Sequence, residues 1–161
     1  MIPDTPLAAL RASKLAAELD DAQAQALAGV IYLRDLKQGE VLVREGTSDN
    51  HLYVVVHGTF GVVKNHGTPD AVTLNTLTNG DFMGELGFID GLARYASLVA
   101  LGQARVFGLE REALESLLPQ HADVVYRVMR AIIRTVHDIQ RRLSMQSIEL
   151  ANYIYKQHGR Y

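Results

Sequence analysis

Between residues 30 and 110 the apolar residues fall into seven short runs, whereas residues 122–157 contain neither Pro nor Gly. That contrast restricts the fold more than any other feature of the chain. The runs occupy residues 30–36, 40–44, 52–57, 59–64, 72–77, 94–101 and 104–110, divided by Gly, Asn or Asp. Runs rich in β-branched residues and bounded by turn formers read as strands. Gly39 and Gly46 bracket the second run, Gly58 parts Val54-Val-Val from the next, and Asn65-His-Gly67 and Asn79-Gly80 are turn signals. Many short strands at this spacing predict a sandwich or barrel.

The flanks read as helix. Residues 7–28 alternate Ala and Leu with charge, which fits two helical pieces. Asp20 or Asp21 stands where an N-cap belongs, and Gly29 stops the helix before Val30-Ile-Tyr. Residues 111–118 predict a short helix that Pro119 interrupts, since a ring without an N–H cannot continue a helix interior. Within 122–157, Val125, Val128, Ile132, Val136, Ile139 and Leu143 recur three or four apart, a heptad-like seam. A parallel or near-parallel second copy would bury that seam, which predicts a homodimer; the alternative is that the seam packs on its own strands. Met129, Ile133 and Val136 form an adjoining stripe expected to face the strands. The expected fold is mainly β with flanking α: a β-roll or jelly roll of about eight strands, N-terminal helices and a long C-terminal helix. Residues 1–120 are expected to form the helix-framed roll and 121–161 the long dimerisation helix and tail of the same domain.

Residues 80–97 carry the chemistry. Gly84 and Gly87 flank Glu85 and Leu86, so the backbone can turn tightly and present N–H groups at the start of a helical turn, where an anion is stabilised. Arg94, nine residues after Glu85, supplies the countercharge. A guanidinium grips a phosphate with two N–H groups, and a carboxylate accepts from a sugar hydroxyl.

At these residues the chain resembles the phosphate-binding cassette of the cyclic-nucleotide-binding domain family, whose members typically read F-G-E-L-A-L and then P-R-A-A-T. Here the counterparts are Met83-Gly-Glu-Leu-Gly-Phe-Ile and Ala93-Arg-Tyr-Ala-Ser97. Upstream, G-E-V-L-V-R-E-G and L-Y-V-V-V-H-G-T-F-G-V-V are similar to the family's strand signatures, so the resemblance covers residues 33–118. It implies a regulatory domain, not an enzyme, that binds cyclic AMP ahead of cyclic GMP and signals through its C-terminal helix. Glu85 would take the ribose 2'-hydroxyl and Arg94 the cyclic phosphate, with backbone N–H groups of Gly84, Glu85, Leu86 and Gly87 completing the shell. Ser97 keeps a hydroxyl that could touch the phosphate. Tyr95 departs from the small residue common in relatives, where a small hydroxyl favours guanine; its phenol could hydrogen-bond the ligand, stack on it or partly fill the site. The last helix lids the base in relatives, and on the expected stripe Gln140 or Arg134 would do so here.

Composition narrows the alternatives. There is no cysteine, which excludes disulfides, thiolate zinc sites and cysteine-ligated clusters. The six histidines are scattered and nothing reads H-x-H with a downstream Glu, so a cupin-like metal enzyme is not expected and no cofactor is implied. No apolar run approaches the ~20 residues of a membrane span and no secretory signal opens the chain, which predicts a cytoplasmic address. The net charge of −2 conceals an asymmetry: from Arg127 onward seven Lys or Arg face only Asp138 and Glu149. A basic helix on an acidic body suits a nucleic acid, an anionic surface or an acidic protein partner, or is simply a solvated face. Direct DNA reading by a truncated transcription regulator is not expected, because about sixteen residues after Met145 are too few for a helix-turn-helix module. A ligand-free dimeric scaffold, offering Tyr153-x-Tyr155 and the basic tail to an unknown downstream partner, remains the second reading.

Overall fold

The computed structural model describes residues 1–158. Helix α1 (Pro6–Arg11) starts on Thr5, whose hydroxyl accepts from the Ala8 N–H, with Pro6 in the first turn where a missing N–H costs nothing. A 3-10 turn (Lys14–Ala16) leads to α2 (Asp21–Ala28). Of the two candidate caps, Asp20 is the one used: its carboxylate accepts from the Gln23 N–H at 2.8 Å while the Gln23 amide oxygen accepts from the Asp20 N–H at 3.0 Å.

Eight strands follow: β1 (Ile31–Leu36), β2 (Val41–Val43), β3 (His51–His57), β4 (Phe60–Lys64), β5 (Val72–Leu77), β6 (Phe82–Met83), β7 (Ser97–Ala100) and β8 (Ala104–Glu110). They pair antiparallel into two four-stranded sheets, β1-β8-β3-β6 and β2-β7-β4-β5. The apolar run in β3 is continuous because both of its faces are covered. Leu52 and Val54 enter a core shared with the helices, while Tyr53 and Val55 enter the core between the sheets. Strand β8 divides the same way, with Phe107 and Leu109 on the helix side and Val106 between the sheets. Gly58 separates β3 from β4 at φ +89°, and a Cβ there would lie 2.6 Å from the Gln103 carbonyl oxygen. Strand β5 is a sheet edge, exposed along nearly all its length.

A short helix α3 (Glu85–Asp90) lies between β6 and β7, and α4 (Arg111–Glu115) and α5 (Leu118–His158) close the described chain. Pro119 falls in the first turn of α5 rather than between two helices, and the backbone leaves helical geometry at His121 (φ −137°, ψ 46°). The regular helix therefore resumes at Ala122, as the sequence predicts. Its expected register does not hold. Val124, Val128 and Ile132 are wholly buried against the roll, while Ile133, expected to face it, is 60% exposed. Val128 and Ile132 thus belong to the monomer's own core, the alternative left open for the seam, and each buried side chain stabilises the docked helix by roughly 1.5–3 kcal/mol. From Arg141 to Gln157 every residue of α5 is exposed. Arg160 of the basic tail lies outside the described residues. No helix among the described residues is long and apolar enough to cross a membrane.

Candidate functional site

Pairing of β6 with β3, Tyr53 opposite Met83 and Val54 opposite Phe82, fixes where residues 80–97 leave the sheet. Gly84 then turns the chain at φ +80°, ψ +18° into α3, and Phe88, almost wholly buried, anchors that helix to the core. The loop that returns to β7 is stitched to the turn before β3: the Arg94 N–H donates to the Thr47 carbonyl at 2.9 Å, and the Gly46 N–H donates to the Arg94 carbonyl at 2.8 Å.

These constraints turn the Arg94 side chain inward. Its guanidinium lies directly beneath Gly84 and Gly87; a Cβ on Gly87 would sit 2.9 Å from Nη1, and one on Gly84 would overlap it. Two glycines are therefore needed here for close approach as well as for turning. Nη2 donates to the main-chain carbonyls of Asp49 at 2.9 Å and His51 at 2.6 Å, and the Asp49 carboxylate stands 3.7 Å away. Arg94 is only 8% exposed, and its Nε is buried with no hydrogen-bond partner among the described residues. A buried donor without an acceptor costs free energy. It is an arrangement suited to an anion that arrives from outside.

Glu85 stands at the other side of the same hollow. Burial pushes its carboxyl above the usual carboxylate range, and its own main-chain N–H and the Arg94 guanidinium pull it partly back. Cassette and α5 together enclose a cavity of about 650 Å³, a size that takes small-molecule ligands.

Six of the residues expected from the sequence line this cavity together: Gly84, Glu85, Leu86, Gly87, Arg94 and Tyr95. The Tyr95 ring is exposed at the rim, and its carbonyl accepts from Lys64 Nζ at 2.8 Å. Ser97 is buried instead, its Oγ accepting from the Glu45 N–H at 2.9 Å, and it is not part of the lining. Arg134 and Gln140 are not part of it either. Arg134 is ion-paired with Glu18, which Arg130 also approaches at 3.6 Å, and Gln140 faces solvent. The helix lines the cavity with Thr135, Asp138, Ile139 and Arg142, and the N-terminal turn adds Lys14. Extending the buried stripe Val124, Val128, Ile132 by further helical steps leads to Thr135 and Ile139, so the seam itself carried the signal. No group of His, Asp and Glu among the described residues could hold a metal ion.

Comparison with known proteins identifies the family and the fold. A family model described as the cyclic nucleotide-binding domain matches residues 33–121. The chain is 26% identical over 149 residues to a cGMP-dependent protein kinase of Eimeria tenella, covering 92% of this chain and 14% of the kinase. It therefore spans about a seventh of that relative. A crystal structure of a cyclic nucleotide-binding domain from Methylobacillus flagellatus superposes with a TM-score of 0.71 at 22% identity, over 77% of this chain and 70% of that one. The N-terminal domain of a transcriptional regulator from Streptomyces coelicolor gives 0.68 at 28% identity, over 81% and 94% of the two chains.

Proposed function

The chain belongs to the cyclic nucleotide-binding domain family, and from that premise we propose that it is a sensor whose cassette cavity binds a cyclic mononucleotide and whose α5 passes on the occupancy. The observation that carries this reading is the buried Arg94, whose Nη1 lies beneath Gly84 and whose Nε has no partner among the described residues. Nη2 is anchored on two carbonyls, so a phosphate that takes Arg94 end-on through Nη1–H and Nη2–H draws the guanidinium away from them. Glu85 accepts from the ribose 2'-hydroxyl, and the main chain at Gly84–Leu86 completes the shell. Thr135 and Asp138 meet the base. Cyclic AMP is preferred to cyclic GMP, because position 95 offers a phenol where a small hydroxyl would favour guanine. The domain binds and does not catalyse.

Signalling follows from differential affinity. A ligand that draws the cassette toward its phosphate favours one placement of α5 over another, and only that difference does work on a downstream protein. Two copies pair through the far part of α5, around Leu143 and Leu150. One observation favours a second reading, a ligand-free scaffold: Arg94 Nη2 already has protein partners.

Titration calorimetry with cyclic AMP and cyclic GMP separates the two. Saturable heat is expected, tighter for cyclic AMP, and Arg94→Ala should weaken it by roughly 2–5 kcal/mol. No heat with either nucleotide into the millimolar range would leave the scaffold, and normal binding by that variant would mean that the site lies elsewhere.

A further inference from the structure

The main-chain carbonyls that hold Arg94 belong to Asp49 and His51, whose side chains are themselves joined. Arg94 Nη2 rests on the carbonyls of Asp49 and His51, and the Asp49 carboxylate closes the loop between them. Asp49 Oδ1 accepts from the His51 N–H at 2.8 Å and faces His51 Nδ1 at 3.0 Å. The same oxygen stands 3.7 Å from Arg94 Nη2. One carboxylate oxygen is thus shared between an imidazole and the phosphate-binding guanidinium.

The surroundings fix the imidazole in that position. Its ring stacks on Tyr53 with centroids 5.6 Å apart and planes 9° apart, and Tyr32 meets it edge-on at 6.0 Å. The Tyr32 ring is in turn seated over Gly108, where a Cβ would lie 2.5 Å from it. Tyr53 Oη reaches the second Asp49 oxygen at 3.4 Å. Burial, with the nearby Asp49 charge, pushes the Tyr53 phenol well above its ordinary range, so it stays neutral. Glu110 lies opposite His51 on β8, and Arg34 on β1 is close enough to act on the Tyr32 phenol. As a class, histidine is the side chain whose ordinary charge change falls between pH 6 and 8.

We infer that His51 is a positioning residue for Arg94: by sharing the Asp49 carboxylate, its imidazole sets how strongly the guanidinium is held back from a phosphate. With the imidazole neutral, the full Asp49 charge faces Arg94. With it protonated, the carboxylate is shared by two cations and the positive potential at the cassette rises. Both changes favour a phosphate anion on Arg94, and by reciprocity a bound phosphate favours the imidazolium. A cyclic phosphodiester keeps one negative charge throughout this range, so the ligand does not titrate. The inference rests on the nucleotide-binding reading above for its effect on affinity, though the coupling of His51 to Arg94 exists without ligand.

Calorimetric titration with cyclic AMP at pH 8 and pH 6 tests it, in the unaltered protein and in His51→Gln. The unaltered protein should bind on the order of fivefold more tightly at pH 6, and His51→Gln should change less than twofold; any contribution from Glu85 is common to both. An unchanged pH profile in His51→Gln would overturn the proposal. Nitrogen-15 NMR of the ligand-free, unaltered protein provides the second arm and does not require the variant to fold. The Arg94 Nε–H resonance should shift along the same pH curve as the His51 ring; an Arg94 signal indifferent to that curve also overturns it. If no nucleotide binds but Arg94 follows His51, the ligand reading fails while the coupling stands.

Discussion

In the near half of α5 Val124, Val128 and Ile132 are wholly buried against the roll, whereas in the far half Leu143, Leu150 and Tyr153 are 58–61% exposed. Both halves carry apolar side chains at three- and four-residue spacing, on a helix that has neither Pro nor Gly from residue 122 to residue 157. Spacing of this kind states that a helix face is to be covered and says nothing of what covers it. In the near half the cover is the chain's own core, where α2, the 3-10 turn and α4 lie against the helix. In the far half, on the present proposal, it is a second copy.

The largest expected effect falls on the near half. Ile132→Ala should lower the unfolding free energy of the single chain by about 2–5 kcal/mol, the usual cost of a cavity in a packed core, measurable by urea titration. A loss below about 0.5 kcal/mol would mean that the near half is not a core element and that the contrast fails. Ile132→Asp cannot report on dimerisation for the same reason, because it would bury a charge in the monomer.

The far half predicts the reverse behaviour. Leu143→Asp should leave the stability of the dilute single chain within about 0.5 kcal/mol of the original, as surface changes do. In sedimentation equilibrium it should weaken self-association by roughly 2 kcal/mol, about the burial of one leucine. An unaltered mass at every concentration would leave the far half without a cover and remove the dimer from the proposal.

The smallest effect is expected where the halves join. Glu18, in the loop before α2, holds Arg130 and Arg134 of α5, and Arg127 donates to its carbonyl at 2.8 Å. The two guanidiniums are about half exposed, so Glu18→Ala should cost no more than about 1 kcal/mol in thermal unfolding, and less at high salt. A larger cost would make that ion-pair cluster, rather than apolar burial, the anchor of the near half.

Much of the roll was legible because turn residues and β-branched runs are local signals. Strand β6 was not, since Phe82 and Met83 are too few to show alternation. The run at 94–101 yields a strand only from Ser97, because Arg94 must leave the extended path to place its guanidinium under Gly84. Glu85 and Arg94 were legible through residue type and spacing. The residues that hold Arg94 were not: Asp49 and His51 use main-chain carbonyls, which every residue has, from more than forty positions away. The helix residues that line the cavity were missed for a third reason. Choosing Ile133 rather than Ile132 as the roll-facing residue rotates the helix by about 100°, which carried the expectation from Thr135 and Asp138 to Arg134 and Gln140.

The bare far half of α5 also has a mechanical meaning. Residues 140–158 extend about 28 Å at the rise of an α-helix. A tilt of about 10° where Ile132 and Thr135 meet the roll, about 35 Å from the tip, would sweep the tip through about 6 Å, more than a side-chain contact can span. The cassette need move little for such a lever to separate or align whatever is attached near Tyr155.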